Sequence, residues 1–106
     1  MRQIKESDWK IFRELHVVAL ERFCRRILDE VAAIVANGNE TGSAHSHYLE
    51  LYNLVKRRDR EMANAFDELR RSTALLQLRI ICAHGLLTPD EFARFSEETR
   101  EVIKLY

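Results

Sequence analysis

Between Ser43 and Gly85 the chain contains neither glycine nor proline. Both residue types punctuate structure, so an uninterrupted stretch of this length favours long helices over a turn-rich β-fold. Within it, Tyr48, Tyr52, Val55, Asp59, Met62, Phe66, Leu69, Thr73, Leu76, Ile80 and Ala83 recur at alternating spacings of four and three. That is a heptad seam held over about five heptads. The phase passes through Ser72 without a slip, which favours one long or merely bent helix over about 44–84, roughly 60 Å in length if unbroken. The alternative is a break at Arg70-Arg71-Ser72-Thr73, where basic residues and hydroxyls could close one helix and cap the next.

The preceding segment reads as a helix over about 8–36. Ser7 is a candidate N-cap and Asp8 suits the first turn. Trp9, Phe12, Leu15, Leu20, Phe23, Ile27, Val31 and Val35 form an apolar stripe at helical spacing. Asn37-Gly38 can stop the helix in the left-handed conformation, and residues 37–43 form a loop. After Gly85 the clearest local signal is Thr88-Pro89-Asp90-Glu91: an N-cap, proline at the first helical position and glutamate at the third. It predicts a short helix over about 89–95 with Phe92 and Phe95. Ser96-Glu97-Glu98 can cap a last one over about 97–105 with Val102 and Ile103, and Tyr106 just beyond it.

The fold class expected is all-α, a single domain over 1–106. It is an antiparallel hairpin of two long helices with short C-terminal helices packed on the second helix, of helical-bundle type. The length suits one domain, and an apolar share of 46% is enough for a core. With the hairpin loop centred near residue 40, facing positions should add to about 80. Tyr52 then meets Leu28, Val55 meets Cys24, Met62 meets Val18, Phe66 meets Leu15, and Leu69 meets Phe12. Apolar faces apolar at each level.

The blocks Asp8–Arg13 (Asp-Trp-Lys-Ile-Phe-Arg), Arg58–Glu61 (Arg-Asp-Arg-Glu), Phe66–Leu78 and the capped tail Leu86–Arg100 resemble those of small uncharacterised bacterial all-α proteins. The likeness covers nearly the whole chain. That group has no established activity, so the resemblance implies a bacterial, cytoplasmic setting and carries no catalytic residues across.

Three features bear on function. First, Ala74, Leu75, Leu76, Leu78, Ile80, Ile81, Cys82 and Ala83 place apolar groups on more than one face of the second helix, beyond the reach of the first. The C-terminal helices can cover one side; Leu75, Leu78 and Cys82 on the other point to a homodimer interface. Second, Asp59 occupies a seam position that should be apolar. It should face Glu21 with Arg22 and Arg25 beside it, as a buried polar pair fixing the register. Third, Lys56-Arg57-Arg58-Asp59-Arg60-Glu61 offers a basic face. Two acids interrupt it, and a net charge of zero gives a polyanion no general attraction, so nucleic acid is the weaker alternative.

No nucleophile–base pair, phosphate loop or metal spacing is visible, so no catalytic, cofactor-binding or metal-ligating residue is assigned and no cofactor is expected. His45 and His47 are alternate residues and do not share a helix face. Cys24 and Cys82 stand alone within apolar stretches, as reduced thiols do. The longest apolar run, Val31–Ala36, is too short to span a bilayer, and the polar start Met1–Glu6 lacks a signal-peptide core. Together these imply a cytoplasmic, non-enzymatic helical interaction or scaffold protein. It forms a homodimer and binds a protein partner whose identity the sequence does not give; the alternative is a nucleic-acid-associated regulator.

Overall fold

The computed structural model describes residues 3–37 and 42–104; most of the loop and Tyr106 lie outside the described residues. The element order is α1 (Glu6–Asn37), α2 (Ala44–Phe66), a 3₁₀ turn (Arg71–Thr73), α3 (Ala74–Ala83), α4 (Pro89–Phe92) and α5 (Glu97–Lys104). The protein is all-α, and α1 and α2 form the antiparallel hairpin. Arg58 on α2 bonds Glu30 on α1, while eight residues further along Phe66 lies against Phe23 and His16.

Local sequence explains most boundaries. Ser43 caps α2 in a reciprocal box with Ser46. Thr88 and Glu91 form the same box around Pro89, as their spacing predicts. Helix α1 begins at Glu6, so Ser7 lies just inside it and does not cap it.

The expectation of one long helix over 44–84 is overturned. The helix ends at Phe66. Asp67 and Arg70 are extended (ψ 151° and 146°) and Glu68 takes a left-handed φ of 55°. That conformation costs a non-glycine residue on the order of 1 kcal/mol. Burial repays it: the break turns α3 back against α1 and α2, and Ala74, Leu78 and Ile81 enter the core. A straight rod would have left these side chains in water. The freed carbonyls at the break find donors, Asp67 from Gln77 Nε2 and Arg70 from the Thr73 hydroxyl, while His16 Nε2 lies 3.2 Å from the Phe66 carbonyl oxygen.

The core is a head at the end of the hairpin away from its loop. Ile4, Phe12, Leu15, Ala19 and Phe23 meet Phe66, Leu78, Ile81, Leu86, Phe95 and Ile103 there. Polar contacts fasten the C-terminal segment to α1. The buried Asp8 carboxylate accepts from the Ser96 amide at 2.9 Å, the Ser96 hydroxyl at 2.6 Å and the Thr99 hydroxyl at 2.7 Å. It thereby fixes Ser96, whose own hydroxyl accepts from the Thr99 amide at 3.3 Å and caps α5. Burial alone would raise its pKa, but these hydrogen bonds outweigh it and hold the carboxyl below its ordinary value. Arg22 grips Glu91 through two bonds of 2.6 and 3.0 Å and also donates to the Leu86 carbonyl. Arg26 bonds the Gly85 carbonyl at 2.8 Å, and Arg94 reaches Glu14 at 2.6 Å.

Candidate functional site

The head leaves the rest of the hairpin as an arm, and the molecule measures 52 × 25 × 23 Å. The arm comprises α1 from Cys24 onward and α2 up to Met62. Its inner seam is thin: Leu54 is its one buried apolar residue, and Arg58 replaces a further hydrophobe by bonding Glu30 (2.9 and 3.0 Å) and Glu61. The Arg58 guanidinium holds Glu30 below the ordinary carboxylate range.

The outer side of the arm is unusually apolar for exposed helix. Leu28, Val35, Tyr48, Tyr52 and Val55 are 54, 61, 62, 50 and 42% accessible. On α1 the stripe is Cys24, Leu28, Val31, Val35; on α2 it is Tyr48, Tyr52, Val55, Asp59, Met62. Each follows the four–three spacing of a heptad. The two stripes lie on the same side, because Cys24, Ile27 and Leu28 line one shallow groove with Val55, Asp59 and Met62. At the tip Tyr48 and Tyr52 stack, their ring centroids 6.4 Å apart. Each arm helix thus has two seams offset by one position, an inner one used within the hairpin and an outer one left open.

This offset corrects the expected register. Phe66 shares the core with Leu15, its expected partner, and touches His16 and Phe23; Val18, the expected partner of Met62, is instead 37% exposed, and Leu69 lies in the break. Over 48–59 the stripe read from the sequence is real, but it lies on the open side of the hairpin, bordering a shallow groove with α1 instead of being buried against it. Val55 and Cys24, expected to meet, do line the same groove.

Asp59 is therefore exposed, and the expected buried pair with Arg22 or Arg25 does not form within the chain. Arg22 is engaged by Glu91, and Arg25 is exposed. The ion pair that crosses the hairpin is made by the neighbouring residue, Arg58, one position round the helix. Arg58 belongs to the basic run over 56–61, and its charge is answered within the chain by Glu30 and Glu61.

The proposed interface residues also move. Leu78 has no exposed surface and belongs to the core, because the break at 67–70 folds α3 inward. Leu75 and Cys82 pack half-buried against that core. Burial pushes the Cys82 thiol up to about 11, so it is a poor nucleophile at neutral pH. Of the residues that the sequence places in seams, Leu28, Val35, Tyr48, Tyr52 and Val55 on the arm are exposed, as are Val18, Leu69 and Leu76 outside it. Their signal was present as periodicity, but periodicity does not say which neighbour a stripe faces.

Among the described residues no group of three His, Cys, Asp or Glu side chains is placed to hold a metal ion, and no helix is long and apolar enough to cross a membrane. No known family, curated protein or solved structure matches the chain.

Proposed function

We propose that this is a non-enzymatic helical interaction protein of scaffold type, whose working surface is the apolar side of the arm. The observation that carries this reading is the pair of heptad stripes lying on one side of the arm, exposed at Leu28, Val35, Tyr48, Tyr52 and Val55 and reaching the core only at Met62. Contiguous apolar faces of this kind on soluble proteins mark interaction sites. Heptad spacing specifies the chemistry of the partner, which is another helical surface. Three buried polar side chains have structural tasks that fit this reading: Asp8 holds Ser96 at the start of α5, His16 lies at the end of α2, and Gln77 donates to the Asp67 carbonyl.

Val55→Glu tests it. Val55 is 42% exposed and outside the core, so in the diluted chain the change should leave helix content intact. The unfolding free energy should move by less than about 1 kcal/mol, as for an ordinary surface substitution. Circular dichroism with urea titration measures both. Loss of the fold would mean that the stripe belongs to the chain's own core, and the reading would fail.

A further inference from the structure

We infer that the arm's partner is a second copy of this chain, docked face to face about a two-fold axis that runs along the arm, so that α1 of each copy lies on α2 of the other. This rests on the reading of the arm as an interaction surface.

The face has two stripes side by side, so a single incoming helix would cover one seam and leave the other wet. The partner must supply two antiparallel helices at the same spacing. A second hairpin does so by construction, and each arm helix then has two helical neighbours, one for each of its two seams, as in a four-helix bundle. The stripes run about 17 Å along α1 and about 21 Å along α2, enough for three layers of interdigitating side chains.

Charge selects the symmetry. The Arg58–Glu30 pair sets the levels: a residue near 30 on α1 is level with one near 58 on α2. Beyond the apolar stripes, the outer edge of α1 carries Arg25 and Asp29, and that of α2 carries Lys56 and Arg60. An axis along the arm brings Asp29 of each copy beside the partner's Lys56 and the partner's Arg60. It also sets Asp59, the acidic residue in the stripe, level with the partner's Asp29, with Lys56 and Arg60 flanking the two acids and the partner's Arg25 about one turn away. An axis across the arm stacks α1 on α1. Asp29 lies midway along the Cys24–Val35 stripe, so it would then face its own copy with no cation opposite. Like charges placed together at a seam disfavour that pairing.

The test uses the full chain with Cys24→Ser and Cys82→Ser, then Asp29→Cys, Lys56→Cys or both. On one chain the two new thiols lie on opposite outer edges of the arm, too far apart for a disulfide. The starting chain should sediment at twice its monomer mass of 12.5 kDa at tens of micromolar. The double variant should oxidise to a covalent dimer, and neither single variant should. A dimer cross-linked by Asp29→Cys alone would mean the crosswise arrangement and would overturn the inference. A monomer at every concentration, for this chain and for wild type, would also overturn it, by ruling out a second copy as the occupant. Neither result depends on whether Val55→Glu leaves the diluted chain folded, so failure here is separable from failure of the interaction-surface reading.

Discussion

Asp8→Ala should destabilise the fold far more than its place in the first turn of a helix suggests. Its carboxylate accepts three hydrogen bonds from residues 88 and 91 positions away, all at 2.9 Å or less, and is itself buried. A net hydrogen bond to a charged group contributes about 1.5–3 kcal/mol, but bonds sharing one acceptor do not add. The two hydroxyls can turn toward other acceptors; the Ser96 amide cannot, and leaving it unpaired costs about 1–3 kcal/mol. The expected loss at neutral pH is therefore about 3–4 kcal/mol, a fall of about 15 °C in Tm for a chain of this size. Asp8→Asn keeps an oxygen for the Ser96 amide and should lose about half as much. Urea unfolding of the three proteins, followed by circular dichroism, measures both gaps. The pH dependence has a fixed sign. Asp8 has a lowered pKa in the folded state, so its contribution is present above the ordinary carboxylate range and is lost as pH falls through it. The gap between wild type and Asp8→Ala should narrow in acid. An Asp8→Ala protein within about 0.5 kcal/mol of wild type at pH 7 would refute the role given to this carboxylate.

Two further outcomes follow from the head. Leu78→Ala should cost about 2–5 kcal/mol as a core truncation, without changing the mass of the folded protein in sedimentation; dissociation with stability intact would restore Leu78 to an interface. Glu91 is held at about 2 by the Arg22 hydrogen bond and the Thr88 backbone, so its contribution is complete above about pH 4.5 and drains away as pH falls toward 2. Both groups are partly hydrated, which discounts the gain to about 1–2 kcal/mol, and Glu91→Gln should flatten that part of the acid-unfolding curve.

The helical class, the hairpin and the capped tail are legible in the sequence because their causes are local. Scarce glycine and proline, apolar periodicity and the Thr88-Pro89-Asp90-Glu91 box each act within a few residues. The break at 67–70 has only a weak local sign, the Arg70-Arg71-Ser72-Thr73 run whose Thr73 hydroxyl bonds the Arg70 carbonyl. Neither glycine nor proline marks it, the heptad phase runs through it, and Glu68 accepts a left-handed backbone because of what Leu78 and Ile81 gain 10 to 13 residues later. Asp8 is similar: its sequence suggests a charge for the helix dipole, whereas its partners, Ser96 and Thr99, lie at the other end of the chain. On the arm, the stripe follows from periodicity, while its direction depends on which side of each helix the hairpin closes. Arg58 and Asp59 are adjacent, so a rotation of about 100° decides which of them crosses the hairpin.

That rotation also gives the polar residues of the outer stripe a physical sense. Had Asp59 faced α1, its carboxylate would have lost hydration on folding, with the full desolvation penalty of a buried ion pair. On the outer side it stays hydrated in the single chain, and in the proposed pairing it would lose water only beside the partner's cations. Tyr48 and Tyr52 at the tip follow the same logic. Each has a large apolar ring for a bundle seam and a hydroxyl that water can satisfy when the seam is open. The inner seam, closed from the moment the chain folds, puts Leu51 and Leu54 at the neighbouring positions. On α2 the tip thus sets Tyr48 and Tyr52 outside against Leu51 and Leu54 inside, so the rings left wet in the free chain are those that carry a hydroxyl for water to satisfy.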